Sequence, residues 1–379
     1  MRAAAFRKTF SLIRGYPFDP VARKAGIATF ARMTTRPASR HPHGQPSIAS
    51  VAARAGVSIA TVSRVVNGVA NKASAETTAR VRQAILELGY RPISAGRDLR
   101  QRSSRIVALL TANLANPAMA AIAAAAEAAL RADGLVMVLC DTHDRPDLQD
   151  EYLLAMRAQR ARAIVLLGAV ASPGLARMQA EGETLVFVSR RSPHGTATPF
   201  VGIDNRRAGT EVARHLVGRG CADLAVVHGA LSSSATAERL AGFRAEARRL
   251  GCALPPRAIL SAAATEHLEI GYQAMSVLLR RGRAPTGIFC TSDLIAFGAH
   301  RRLLEEGLAV PRDLTLVGFD DSPLNDWVAP WLDSVRVPYD SFGPAIARAI
   351  AGSPDAGAET TLPHRLIVRT QPPPERRDD

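Results

Sequence analysis

Ser47-Ile-Ala-Ser-Val-Ala-Ala-Arg-Ala-Gly-Val-Ser-Ile-Ala-Thr-Val-Ser-Arg-Val-Val-Asn-Gly68 is the stretch from which the rest of the chain can be read. Ile48, Val51, Ala52 and Ala55 recur at helical spacing, so one face of a first helix is apolar. Gly56 follows, a residue able to take the left-handed conformation that ends a helix without a Cβ penalty. Ser58 is placed to cap a second helix whose inner face is Val62, Val65 and Val66. Its outer face carries Ile59, Ala60, Ser63 and Arg64.

Two short helices around a glycine turn, the second with small or basic residues outward, have the pattern of a helix-turn-helix. The second helix of such a unit enters the DNA major groove. Downstream, Ser74 stands as an N-cap before a third apolar stripe, Val81, Ala84, Ile85 and Leu88, which Gly89 ends. Three small helices therefore close a DNA-binding head over residues 47–92. Tyr90-Arg91-Pro92 stops helical propagation, and a basic hinge, residues 93–105, follows with Arg97, Arg100, Arg102 and Arg105.

Charge is distributed accordingly. Residues 1–46 hold nine Lys or Arg against one acid, and residues 47–105 hold ten against three. The whole chain of 379 residues carries +14, so the body from residue 106 onward is close to neutral. A basic front on a neutral body is the footprint of a polyanion-binding head. Residues 1–46 read as a basic, disordered extension. Their composition is shared with transit peptides but lacks the apolar core of a secretory signal. Met33, ahead of the Pro-rich stretch 36–46, is an alternative start.

From Ile106 the pattern changes. Apolar runs at Ile106–Leu110, Val136–Cys140, Ile164–Leu167, Leu185–Val188, Leu224–Val227, Ile288–Cys290 and Leu316–Phe319 read as strands. Helical stretches lie between them, around Ala118–Ala132, Glu151–Arg160, Ala208–Arg219, Ala237–Leu250, Gly271–Arg280 and Leu294–Glu306. This alternation predicts βαβ units and parallel sheets, with too many strands for one sheet and hence two lobes, over residues 106–370. Residues 371–379 are a polar tail. Ligands of such folds bind outside the carboxyl ends of strands. The polar residues at those ends are Asp141, Ser189, Arg190, Asp204, Ser292, Asp293 and Asp320.

Cys140, Cys221, Cys252 and Cys290 are scattered, with no Cys-x-x-Cys pair, so reduced thiols and a cytoplasmic location are expected. No apolar run has the length of a membrane span. The chain has no Gly-x-Ser-x-Gly elbow, Walker loop or His-Glu-x-x-His, and Gly218-x-Gly220 lacks a third glycine and follows a helix. Asp141, His143 and Asp144 are the one trio of metal-ligand types, in a polar loop whose plain reading is solvation. No cofactor or metal is expected. An α/β enzyme or a periplasmic-type solute-binding protein is the alternative for the body alone, but neither has a use for the head.

The order of motifs resembles the LacI/GalR family of bacterial transcription repressors over roughly residues 47–370. The resemblance is carried by Val51–Ser58, Thr61–Gly68, Glu87-Leu-Gly-Tyr-Arg-Pro92, Arg97-Asp-Leu-Arg100, Asn116-Pro117 and Asp204-Asn205. It continues through Arg239-Leu-Ala-Gly-Phe243, Ser292-Asp-Leu-Ile-Ala296 and Val317-Gly-Phe-Asp320. It implies a three-helix head, a hinge and a periplasmic-binding-protein-like core whose lobes the chain crosses three times. One lobe would take about 106–203 plus 335–352, the other about 205–333 plus 357–370. It also implies a homodimer on a near-palindromic operator, controlled by a small-molecule effector in the cleft, by default sugar-like.

By the same resemblance, Ile59 and Ala60 occupy base-reading positions, suited to contact with thymine methyls. Arg64 is a guanine contact or a phosphate contact. Ser58, Ser63 and Asn67 grip phosphates, which positions the head without reading sequence. Leu99 matches a hinge residue that wedges into the minor groove, or is an ordinary linker residue. The hinge departs from the family at Gly96, where Ala is usual, and at Asp98, where Ser is usual. The loop Val69–Lys72 is about one residue longer than the family pattern. In the cleft, Asp320 and Arg239 match effector-binding positions, and Ser292, Ser189 and Asn116 match lining positions. Asn116 has the alternative of capping the following helix, and Asp293 is read as a cap or structural residue. Ala118, Met119 and Ser233 stand where purine-binding members carry stacking aromatics and an Arg, which weighs against a purine effector.

Overall fold

The computed structural model describes residues 46–66, 73–90, 104–195, 198–264, 266–282, 284–352 and 359–370. They belong to two units that divide after residue 94.

In the first unit, helix α1 (Ile48–Ala55) begins at Ser47, whose hydroxyl accepts from the Ser50 amide while the Ser50 hydroxyl accepts from the Ser47 amide. This reciprocal pair satisfies two amides that a helix start leaves open. Gly56, at φ 65°, ends α1 in the left-handed region, and the axis turns by 104° into α2 (Ile59–Val66). Helix α3 (Ala75–Leu88) starts on the Ser74 hydroxyl and ends at Gly89, φ 61°. Val51, Ala52, Ala55, Val62, Val81 and Ala84 are the buried core, with Ile48, Val65, Val66, Ile85 and Leu88 packed against it.

The second unit contains two six-stranded sheets. Its elements, in order, are β1 (Ile106–Thr111), α4 (Pro117–Ala132), β2 (Val136–Asp141), α5 (Pro146–Ala158), β3 (Ala163–Leu167), α6 (Pro173–Ala180), β4 (Leu185–Val188) and β5 (Phe200–Ile203). Then come α7 (Asn205–Gly218), β6 (Leu224–Val227), α8 (Ser234–Arg249), β7 (Ile259–Leu260), α9 (His267–Leu279), β8 (Gly287–Cys290), α10 (Asp293–Glu305) and β9 (Thr315–Asp320). The last are α11 (Asn325–Val328), β10 (Asp333–Arg336), α12 (Tyr339–Ala351), β11 (Glu359–Leu362) and β12 (Arg365–Ile367).

The first sheet has the order β11-β5-β4-β3-β1-β2 and is wholly parallel. The second has the order β12-β10-β9-β8-β6-β7, parallel except for β12 against β10. Central strands such as β3, β4, β6 and β8 are buried along their whole length. That burial is why they read as continuous apolar runs.

The chain passes between lobes three times, at 203–205, 336–339 and 362–365. The lobe limits expected from sequence need correction at two of these places. Residues 333–336 form β10 and pair with β9, so the second lobe keeps them up to Arg336. Residues 359–362 form β11 and pair with β5, so they belong to the first lobe. Sheet pairing decides both placements, and it is invisible in strands as short and polar as Asp333-Ser-Val-Arg336 and Glu359-Thr-Thr-Leu362.

Candidate DNA-binding head and effector cleft

On α2, Val62 is fully buried, whereas Ile59 is 51% exposed and Ala60 and Arg64 are exposed. Ile59 is therefore not a core residue, although it is as apolar as the core. The Ser58 hydroxyl accepts from the Thr61 amide at 3.1 Å and lies 2.9 Å from the Thr61 hydroxyl, so it caps α2. Ser63 is half-buried. Asn67 and the hinge positions Gly96, Asp98 and Leu99 lie outside the described residues.

In the second unit, a cleft lies between the two sheets' carboxyl ends. Asn116, Ser189, Arg239, Ser292 and Asp320 all line it. Arg239 arrives on α8 because α7 and α8 touch at two glycines. A Cβ on Gly242 would lie 1.9 Å from the Arg206 carbonyl oxygen, and one on Gly209 would lie 2.1 Å from that of Arg239. The two apolar members of Arg239-Leu-Ala-Gly-Phe243 on the inner side, Leu240 and Phe243, are in the core, and Phe243 stacks on Phe289 at 5.1 Å.

The Arg239 guanidinium is held on several sides. Its Nε donates to Asn205 Oδ1 at 2.9 Å and its Nη1 to the Thr291 carbonyl at 2.8 Å. Its carbon lies 3.4 Å from the centroid of the Phe319 ring. Burial lowers its pKa to about 10, against the pull of Asp320, so it remains a cation at neutral pH.

Asp320 ends β9 at φ 106°, and Asp321 follows at φ 48°. Two successive side-chain-bearing residues in this region are strained, which requires surroundings that hold them. The Asp320 carbonyl accepts from the Val337 amide at 3.2 Å and the Tyr339 hydroxyl at 2.6 Å. The Asp321 amide donates to the Ser334 hydroxyl at 3.2 Å. The Asp321 carboxylate binds Arg336 at 2.6 Å and Arg369 at 2.7 Å. The Asp320 side chain is thereby presented to the cleft, where its nearest cationic atom is Arg239 Nη1 at 3.8 Å. Burial raises its pKa to about 6, and Arg239 opposes the shift.

Asp293 serves the scaffold. Its carboxylate accepts from the Ser334 hydroxyl at 2.6 Å, Asn325 Nδ2 at 2.7 Å and the Ser322 amide at 3.2 Å. Burial pushes its pKa upward, and the Asp320 charge adds to this. Ser292 caps α10 and shares a 2.8 Å hydrogen bond with His267 Nδ1. Asn116 caps α4 by accepting from the Ala118 amide at 2.9 Å, so it is both a cap and a lining residue. Ser189 sits at φ 62° at the end of β4. Asp204 caps α7.

Asp141 accepts from the Leu114 and His143 amides, and Asp144 is bound bidentately by Arg190, at 2.5 and 3.1 Å. That trio is thus engaged in loop and side-chain bonds. Among the described residues, no cluster of His, Cys, Asp or Glu could hold a metal ion. The four cysteines are free thiols, three of them buried.

Sequence reasoning missed Asn205, His267, Thr291 and Tyr339 as lining residues, whereas Arg190, placed from sequence at a strand's carboxyl end, does line the cleft. His267 opens α9, and the helical periodicity there became visible only from Gly271. Burial first, and then the Arg190 charge, lower its pKa to about 4, so its imidazole is neutral. Arg191, next to the cleft residue Arg190, bridges the lobes. Its amide donates to the Ser234 hydroxyl at 2.8 Å, and its guanidinium reaches Glu238 at 3.2 Å and Glu359 at 2.5 Å.

Residues 47–92 match the bacterial regulatory proteins of the lacI family, and residues 104–337 match the periplasmic binding proteins and sugar binding domain of the LacI family. The chain belongs to the LacI family. It is a DNA-binding transcriptional regulator, not an enzyme. It is 34% identical over 343 residues to the HTH-type transcriptional regulator MalR of Streptomyces coelicolor, covering 85% of this chain and 95% of that one. A lac repressor dimer bound to operator and the anti-inducer ONPF is 25% identical, with a TM-score of 0.74, over 86% of this chain and 98% of that one. A complex of the transcriptional regulator CelR with cellobiose is 28% identical, with a TM-score of 0.63, over 85% and 98%. Within this LacI-family chain, Ala118 and Met119 line the cleft and Ser233 caps α8. Among the described residues, no single helix is long and apolar enough to cross a membrane.

Proposed function

We propose that this regulator acts in the cytoplasm as a repressor, binding a near-palindromic operator as a homodimer. A small sugar or sugar derivative in the cleft controls that binding. Ile59 and Ala60 read bases, Arg64 contacts a guanine or a phosphate, and Ser58, Ser63 and Asn67 contact phosphates. Leu99 wedges into the minor groove, and Asn116, Ser189, Arg239, Ser292 and Asp320 contact the effector.

The observation that carries the effector reading is the Asp320 carboxylate. It faces the cleft on a strained backbone and stands 3.8 Å from its only ion-pair partner among the described residues. Such an acceptor binds ligand hydroxyls through charge-assisted hydrogen bonds. Ligand contacts to both lobes favour one lobe arrangement over the other, and only that differential affinity can change DNA binding.

The test pairs gel shifts on a selected operator with calorimetry on a panel of sugars. Asp320→Ala is expected to abolish the sugar's effect on operator binding and leave ligand-free binding intact. A full response in Asp320→Ala would overturn the assignment.

A further inference from the structure

Tyr339 does more than line the cleft. It follows Pro338, whose φ of −80° and ψ of 73° form an inverse γ-turn, closed by the Tyr339 amide donating to the Val337 carbonyl at 2.9 Å. The turn brings residues 337 and 339 onto one target. The Val337 amide donates to the Asp320 carbonyl at 3.2 Å, and the Tyr339 hydroxyl donates to the same oxygen at 2.6 Å. A main-chain carbonyl has two lone pairs, and these two donors occupy both.

The bonds fall on a backbone that cannot hold its shape alone. Asp320, at φ 106°, carries a side chain in a region that favours glycine, and such a conformation persists only where its surroundings fix it. The next residue, Asp321, is fixed from within its own lobe, by Ser334 and Arg336 of β10 and by Arg369 beyond β12. Asp320 is fixed differently. Tyr339 opens α12, and α12 packs against α4, β4, β5 and β11 of the first lobe. Asp320 ends β9 of the second. The 2.6 Å bond therefore runs from one lobe to the main chain of the other, at the residue whose carboxylate faces the cleft.

The one proton of the hydroxyl is engaged by that carbonyl, so it is not a donor to a ligand. The ring itself is half-buried against the core, a packing that does not depend on the hydroxyl.

Resting on the reading of the cleft as the effector site, we propose that Tyr339 is a positioning residue for effector binding. Its hydroxyl fixes the backbone from which Asp320 presents its carboxylate, and it makes that aim depend on how the two lobes stand. A movement of the lobes about the 336–339 crossing either carries Asp320 along or breaks this bond. An effector held by Asp320 then favours the arrangement in which the bond is made.

The test uses full-length Tyr339→Phe, which loses the hydroxyl and keeps the ring. Its ligand-free crystal structure is expected to show Asp320 out of the positive-φ region, with the carboxylate moved from its place 3.8 Å from Arg239 Nη1. Calorimetry on the unaltered protein with glucose, galactose, ribose, maltose and cellobiose selects the tightest binder as the probe. Tyr339→Phe should bind that probe about three- to tenfold more weakly, the worth of one hydrogen bond. A pH profile separates positioning from plain packing. The charged groups around Asp320 and Tyr339 are Arg239, Asp293 and Asp321, and the variant retains all three. Burial is what raises the Asp320 pKa, so a carboxylate released toward water should shift the acid limb of probe binding to lower pH. A purely structural loss weakens binding at every pH and leaves the limb in place. Asp320 unmoved in the crystal, an unchanged probe affinity or an unmoved limb overturns the proposal. If no sugar of the panel binds, the crystal comparison decides alone. The effector-site reading fails separately, through an undiminished sugar response of operator binding in Asp320→Ala.

Discussion

Arg239 and Asp320, both on the second lobe's wall of the cleft, stand 3.8 Å apart, close enough for an ion pair and too far for a hydrogen bond. The gap leaves lone pairs of the carboxylate for a ligand, while the guanidinium is fixed by Asn205, the Thr291 carbonyl and the Phe319 ring. A lysine cannot reproduce that set, because it lacks the planar fork and stacks poorly. Arg239→Lys should weaken effector binding about tenfold or more and leave ligand-free operator binding unchanged. Calorimetry with the active sugar, beside a gel shift, checks this.

The raised Asp320 pKa gives effector binding a pH dependence of known sign. The ionised carboxylate is the acceptor, and its folded-state pKa is about 6. Affinity should be level from pH 7 to 8 and fall as pH drops below about 6, approaching tenfold per unit. In Asp320→Asn the residual affinity should be flat over pH 5–8. In folding, the same shift has the opposite sense. The ionised form is the costly one, so this group's contribution to stability is lowest above about pH 6 and improves as pH falls toward the ordinary Asp value.

At Gly242 a methyl group would meet the Arg206 carbonyl at 1.9 Å, and backbone cannot move aside as a flexible side chain can. Gly242→Ala should force α7 and α8 apart and cost about 1–3 kcal/mol, the usual range for overpacking. Arg239 is three residues away on α8, so effector affinity should fall as well. Denaturant melts and effector titration read the two effects independently.

Substitutions on opposite faces of α2 should separate folding from recognition. Val62 is fully buried and Ile59 is half exposed, so Val62→Ala should destabilise by about 1–3 kcal/mol and Ile59→Ala by less than about 0.5. Operator selection with Ile59→Ala should show relaxed preference at one base position per half-site. If Arg64→Ala instead weakens all sequences uniformly and lowers the salt slope by about one, Arg64 is a phosphate contact.

Arg191 ties α8 of one lobe to the loop after β4 of the other through Ser234 and Glu238. The side chain is partly exposed, so the bridge is worth no more than about 1 kcal/mol. Arg191→Met should weaken effector affinity by about two- to fivefold by loosening the ligand-binding lobe arrangement. A titration in parallel with Glu238→Gln should show losses that do not add, since both remove the same bond.

The strands legible in the sequence are those that parallel burial makes apolar throughout, such as Ile164–Leu167 and Leu224–Val227. The strands that escaped notice, β5, β7, β10, β11 and β12, sit at the lobe crossings and edges. There Arg336, Glu359 and Arg365 are exposed, and Asp333 is buried only because His215 and Thr370 pair its carboxylate. In the cleft, Asp320 and Ser292 were legible because each directly follows a recognisable strand run or begins a helix. His267 was not, because its placement depends on how α9 meets the Ser292 turn, a contact across 25 residues. Asp293 illustrates the converse: adjacent to a lining residue in sequence, it points its carboxylate into the scaffold bonds of Ser322, Asn325 and Ser334.

The late placement of β11 and β12 affects how the protein comes into being on the ribosome. Each completes the edge of a different sheet, so neither lobe is finished until residues 359–367 have been made. The head, with its own small core, is complete by Leu88. At roughly 5–20 residues per second, about 280 further residues take on the order of half a minute. For that interval each nascent chain carries a folded DNA-reading head before the domain that will govern it can answer to any ligand.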